Sequence, residues 1–282
     1  MIMKAIVTIV LGLAALAAIG GAVFYANGAF RLPGVADIFA YTYKYDNGER
    51  FTAGNTTISG PVKNMDIDWV NGNVNVDYHD DDTVLISETS KMALDDDTRL
   101  HWCMDGDKLI VKFAKSGARI RPDLGKDIVI TLPRSAVTES AVIDNTTGDI
   151  FVKGGSWSAL GLSCTTGSVN LSADSVDDLT AHSTTGNVNI DVMSTGTADL
   201  HCTTGDVILV TSCFDSLKAK TTTGDIRAKL PEKLGFTATL SATTGDVSCA
   251  IPHTNSNKTY TVGDGSRTVE MKATTGNVSI TG

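Results

Sequence analysis

The stretch Lys220–Ile226, KTTTGDI, decides the fold. Alone it reads as a polar surface turn, because Gly and Asp both suit tight turns. It is not alone. Aligned on the glycine, near-copies stand at Gly148, Gly167, Gly186, Gly205, Gly224, Gly245 and Gly276. The first five are 19 residues apart, and the next intervals are 21 and 31. A fixed period near twenty residues is the signature of a solenoid. The repeat therefore predicts an all-β chain of stacked coils, each a strand, a Thr-Gly-Asp/Asn corner, a second strand and a loop.

The columns around the glycine support this. Seven residues before it stand Ala141, Leu160, Leu179, Ala198, Leu217, Ala238 and Val269; five before stand Ile143, Leu162, Ala181, Leu200, Ala219, Leu240 and Met271. Two residues after it every copy has Val or Ile, from Ile150 to Val278. These positions alternate with polar ones, as on a strand with one buried face. Leu in one early column accompanies Ala in the other, as in Leu179 with Ala181 and Ala198 with Leu200, which keeps the packed volume constant. Odd offsets point inward before the glycine and even ones after it. A straight strand cannot change parity, so each glycine is expected at a corner where it takes positive φ. MDIDWVNGNVNV repeats the offsets around Gly72, with bulkier Met65, Ile67 and Trp69 that suggest a terminal cap. The eight structural turns are thus Gly72 and the seven glycines above. One coil cannot stand alone. Ordering a residue costs about 1–2 kcal/mol, and a fully buried apolar side chain returns about 1.5–3 kcal/mol.

The sequence predicts three segments. Residues 1–26 are a transmembrane anchor or signal segment, 27–50 a linker and lead-in, and 51–282 a single solenoid domain with regular coils over about 141–282. Ala5–Ala26 carries no charge. As a helix it would be about 33 Å long, enough to cross a bilayer core of about 30 Å. Lys4 precedes it, which favours an N-terminus-inside, single-pass orientation with the solenoid outside the cell membrane. A cleaved signal peptide is the alternative, although such apolar cores usually run about 7–15 residues. Both readings export the remainder. Within 51–282, TVLIS, KLIVKF and DIVITLP read as strands in irregular coils or hairpins, and HTNSNKTYTVGDGSR as an inserted loop.

The chain has a net charge of -9 and no basic stripe, which excludes a nucleic-acid partner. Its cysteines number five, so at least one thiol is unpaired in a monomer. Cys164 and Cys202 share an inward column two coils apart, about 9–10 Å, too far for a disulfide. They read as small buried hydrophobes, with Cys249.

Three sharper readings stand against structural ones. Asp149, Ser168, Asn187, Asp206, Asp225, Asp246 and Asn277 follow the glycines and could form a calcium-binding ladder. Free exchange with Asn and Ser favours a turn-bracing role. Thr stands two before each of the seven glycines, but its outward partner column is too mixed for a flat ice-binding array. His182 and His201 would lie about 5 Å apart on adjacent coils, close enough to share a metal, yet Lys220 on the next coil would repel a cation. No metal, cofactor or catalytic residue is therefore expected.

The apolar N-terminus, the DIVITLP strand and the repeated TTG[DN][VI] motif resemble the bacterial β-strand-repeat putative adhesin family, a domain of unknown function (4097). The resemblance covers roughly residues 50–282. It implies a non-enzymatic β-solenoid at the cell envelope, an adhesin or surface scaffold, with a surface polysaccharide or an envelope protein as partner. An envelope-stress regulatory or ligand-sensing component, and a carbohydrate-active β-helix enzyme, are the alternatives.

Overall fold

The computed structural model describes residues 40–256 and 259–282, and Tyr41–Gly282 forms one compact unit. The described residues are all-β and solenoid-like. Their organisation follows from the apolar columns. Leu179, Ala181, Val188 and Ile190 are each at most 2% exposed, and the same offsets are buried in nearly every coil. Long strands carry the chain from one corner to the next: Val169–Thr185, Val188–Thr204 and Val207–Thr223. They pair in parallel and in register, Val169 beside Val188 beside Val207, and Leu179 beside Ala198 beside Leu217. A column of the sequence repeat is thus a column in space, with rungs about 4.8 Å apart.

One inward column escapes the sequence reading. Thr138, Trp157, Val176, Thr195 and Phe214 stand in register midway between corners. All are at most 4% exposed. The column mixes hydroxyl, aliphatic and aromatic side chains, so it has no residue-type signature. Its hydroxyls are bonded internally: Thr138 Oγ1 donates to the Ser156 carbonyl at 3.1 Å and Thr195 Oγ1 to the Thr197 carbonyl at 3.1 Å.

At the N-terminal end the Gly72 rung, made of Asn64–Asn71 and Val74–His79, is interior and not a cap. Lys108–Lys112 lies parallel beside its first half and Lys126–Pro133 beside its second, forming a further rung. Beyond them His101–Asp105 pairs antiparallel with Lys108–Lys112, and Val84–Ser90 antiparallel with Lys126–Pro133, followed by the short strands Thr52–Ala53 and Thr56–Ile58. The bulk of Trp69 has another use. Its Nε1–H donates to the Lys126 carbonyl at 2.8 Å, and its ring packs edge-on to Phe113 at 5.0 Å. In the lead-in segment Tyr43 is buried and its hydroxyl donates to Asp68 Oδ2 at 3.0 Å.

At the C-terminal end spatial order departs from chain order. Arg267–Thr275 lies between Val207–Thr223 and Phe236–Thr244, and Val278–Thr281 between Ile226–Lys229 and Val247–Cys249. The Gly276 rung is therefore inserted between the Gly224 and Gly245 rungs. The segment expected as an inserted loop instead contains strands Thr254–Ser256 and Thr259–Val262, and the second pairs antiparallel with Phe236–Thr239. A bare rung edge offers unpaired backbone donors and acceptors, and the β-prone run Thr259-Tyr260-Thr261-Val262 covers part of it.

Among the described residues no helix is long and apolar enough to cross a membrane. The Ala5–Ala26 segment lies outside those residues.

Candidate functional site

The repeated corner is the first candidate. Its glycines have φ between 115° and 141°, a region that L side chains rarely enter. A second constraint is independent of φ. A Cβ on Gly224 would lie 2.0 Å from the Gly205 carbonyl oxygen, and one on Gly205 2.2 Å from that of Gly186. The same overlap recurs at Gly148, Gly167, Gly186, Gly245 and Gly276, while at Gly72 it is with the Lys126 carbonyl. The corners nest backbone on backbone.

The residue after each glycine braces the next rung rather than its own turn. The Ser168 N–H donates to Asp149 Oδ1 at 2.7 Å, Asn187 N–H to Ser168 Oγ at 3.2 Å, and Asp206 N–H to Asn187 Oδ1 at 2.9 Å. Asp225 N–H then donates to Asp206 Oδ1, Asn277 N–H to Asp225 Oδ1, and Asp246 N–H to Asn277 Oδ1. The task needs an acceptor and not a charge, so Asp, Asn and Ser interchange. Burial pulls the Asp206 carboxyl upward, but the Asp225 N–H and the Arg227 guanidinium outweigh it and hold it below the usual carboxylate range.

A parallel ladder runs inside. Asn145 Nδ2 donates to the Gly72 carbonyl at 2.9 Å, Cys164 Sγ to Gly148 at 3.1 Å, Ser183 Oγ to Gly167 at 2.9 Å, Cys202 Sγ to Gly186 at 2.9 Å and Thr221 Oγ1 to Gly205 at 3.0 Å. The cysteines are thus donors, not only hydrophobic filler. Burial, reinforced by Asp149 and Asp206 respectively, pushes the Cys164 and Cys202 thiols up to about 11, so both stay protonated. Cys103 is buried, Cys213 is exposed, and all five are free.

These bonds occupy the corner carbonyls from Gly72 to Gly205, while Ala273 and Ala242 replace the donor in the last two rungs. What faces outward is a set of columns on two sheet faces. One concavity lies after the corners, lined by Phe151, Lys153, Asn170, Asn189, Asp191 and Ile208 among others. Asn189 Nδ2 donates to Asn170 Oδ1 at 2.9 Å, so the two amides form a short ladder there.

A family model matches the repeated part of the chain. The chain belongs to the Toastrack DUF4097 family. The match covers residues 62–281. Two crystal structures are similar to the chain. One is a putative cell adhesion protein from Clostridium sporogenes ATCC 15579, at 10% identity over 81% of this chain and 99% of that one, with a TM-score of 0.29. The other is a putative adhesin from Bacteroides fragilis NCTC 9343, at 12% identity over 82% of this chain and 97% of that one, with a TM-score of 0.39. None of the curated proteins compared with the chain matches it.

On the outward face before the Toastrack corners, His182 and His201 do stand together. Their rings are 4.7 Å apart between centroids at 85°, with His201 Nδ1 3.4 Å from His182 Nε2. Burial, and then the His201 ring, lower the pKa of His182. Among the described residues no group of three or more His, Cys, Asp and Glu converges as a metal site. A buried ion pair has no signal in the sequence. Lys126 Nζ contacts Glu88 Oε2 at 2.7 Å and the Thr98 carbonyl at 2.6 Å, under the Phe113 and Trp69 rings. Its side chain is 0% exposed. Burial lowers its pKa to about 8 against the opposing pull of Glu88. A lysine inside KDIVITLP reads as an ordinary solvated strand residue, and nothing in the spacing marks Glu88 as its partner.

Proposed function

We propose that the chain is a non-enzymatic cell-envelope protein, an adhesin or surface scaffold that presents its stack of rungs outside the membrane. In this reading residues 5–26 anchor it in a single pass, and its partner is a surface polysaccharide or an envelope protein. One observation carries the reading. The residues after the corner glycines are bonded from rung to rung, and most corner carbonyls with them, so the repeated motif holds the stack together and leaves recognition to the outward columns. The concavity around Phe151 and Asn189 combines an aromatic ring with side-chain amides, a composition suited to sugar or peptide recognition. Its lining carries one carboxylate, Asp191, whereas glycoside hydrolysis ordinarily uses two.

The test is retention of the full-length chain, solubilised in detergent, on immobilised envelope polymers and in envelope pull-downs. The expected result is capture that Phe151→Ala with Asn189→Ala weakens without a change in melting. Protease treatment of intact cells should also remove the domain. Protection from external protease, with capture only by cytoplasmic proteins, contradicts the proposal.

A further inference from the structure

We propose that His182 and His201 form a two-imidazole site for a borderline divalent metal ion, Zn2+ or Cu2+. The rings sit on the neighbouring strands Val169–Thr185 and Val188–Thr204, and the two residues are directly paired in register. The ladder therefore fixes their spacing, and binding replaces the ring-to-ring hydrogen bond, the protonated facing nitrogen passing its proton to the other ring nitrogen by a change of tautomer. The separation is the relevant quantity. Two imidazole nitrogens about 2.0–2.1 Å from a tetrahedral ion lie about 3.3–3.4 Å from one another. His201 Nδ1 and His182 Nε2 are 3.4 Å apart. Both side chains are only partly buried, so water has access to complete the coordination shell.

The neighbouring cations are occupied. Lys220, next in the column, directs its ammonium to Glu270 at 3.6 Å. Lys218 pairs with Asp199 at 3.1 Å. The Lys220 and Lys218 ammonium groups are thus each paired with a carboxylate, which weakens the repulsion expected from the sequence alone. The donor set also selects the ion. Imidazole nitrogen suits Zn2+ and Cu2+, while Mg2+ and Ca2+ prefer oxygen. Nothing in the site depends on the corner ladders, so it can be lost without loss of the fold.

The experiment titrates Zn2+ into the full-length chain in detergent against a chromophoric chelator, in a Cys213→Ser background that removes the exposed thiol. Cu2+ is then added and its paramagnetic resonance spectrum recorded. One equivalent of Zn2+ is expected to bind. His182→Gln and His201→Gln should each weaken binding at least about tenfold, since even outer-shell losses cost roughly 10–100-fold. His253→Gln, distant in the insertion, should leave it unchanged, and all variants should melt like the parent. The copper spectrum should show two coupled nitrogens, lost in either variant. Absence of binding at millimolar Zn2+, or equal binding by both histidine variants, overturns the proposal and leaves a ring-to-ring hydrogen bond as the whole of the contact.

Discussion

Gly224 shows how little room the corner leaves. Its φ of 140° and the 2.0 Å that would separate an added Cβ from the Gly205 carbonyl oxygen are distinct penalties. Backbone strain costs about 1–3 kcal/mol, and overpacking about as much again. Gly224→Ala should therefore lower stability by about 3 kcal/mol or more, read as a fall in Tm. Gly161→Ala is the control. Its Cβ would meet the Ala141 carbonyl at 3.8 Å, an ordinary contact, so its effect should stay within about 1 kcal/mol. Cys202 gives a second residue-scale prediction. Cys202→Ser keeps a donor to the Gly186 carbonyl, as Ser183 does for Gly167, and should be near neutral. Cys202→Ala leaves that carbonyl without its partner and should cost about 1–3 kcal/mol in denaturant titrations. At this scale the sequence was legible in part. Position and spacing of the glycines were visible. The side chains that bond their carbonyls were not, because Asn, Cys, Ser and Thr share a role and not a class.

Among elements, the Lys126–Pro133 strand carries the most unusual group. Lys126 loses protons more easily folded than unfolded: about 8 in the fold, against about 10.4 in a free chain. Between those values the unfolded chain holds more protons, so stability rises with pH. Burial raises Tyr45 and Tyr78 to about 12, which turns the trend downward above pH about 10. The Cys164 and Cys202 thiols, at about 11 in the fold against about 8.5 in a free chain, pull stability the other way from pH about 8.5. The Lys126 contribution is therefore read as a difference: the Tm of the parent relative to Lys126→Met should rise between pH 8 and 10. Glu88→Gln leaves the ammonium buried beside a neutral amide and should cost about 3–5 kcal/mol. Urea titrations across this pH range check both. The strand itself was readable from alternation, since Ile128, Ile130 and Leu132 all face inward at 0% exposure. Its place beyond the Gly72 rung was not, because the pairing is between strands more than fifty residues apart.

Over the whole molecule, the stack is continuous but its order is not the order of the chain. The sequence shows seven equivalent corners and offers no reason to place Gly276 before Gly245. The order is visible on the strands: Ser216 opposes Thr268, with Thr268 Oγ1 donating to Ser216 Oγ at 2.9 Å, while Thr237 lies on the far side of that strand. Adjacent rungs, about 4.8 Å apart, fall within disulfide reach, and two rungs, about 9–10 Å, do not. The most direct measurement of the interleaved stack is oxidative closure of Ser216→Cys with Thr268→Cys, compared with Ser216→Cys with Thr237→Cys, both in a Cys213→Ser background. The interleaved order predicts that the 216–268 pair closes in the folded chain and the 216–237 pair stays reduced. Closure of 216–237 with 216–268 remaining reduced would contradict it and restore a stack in chain order.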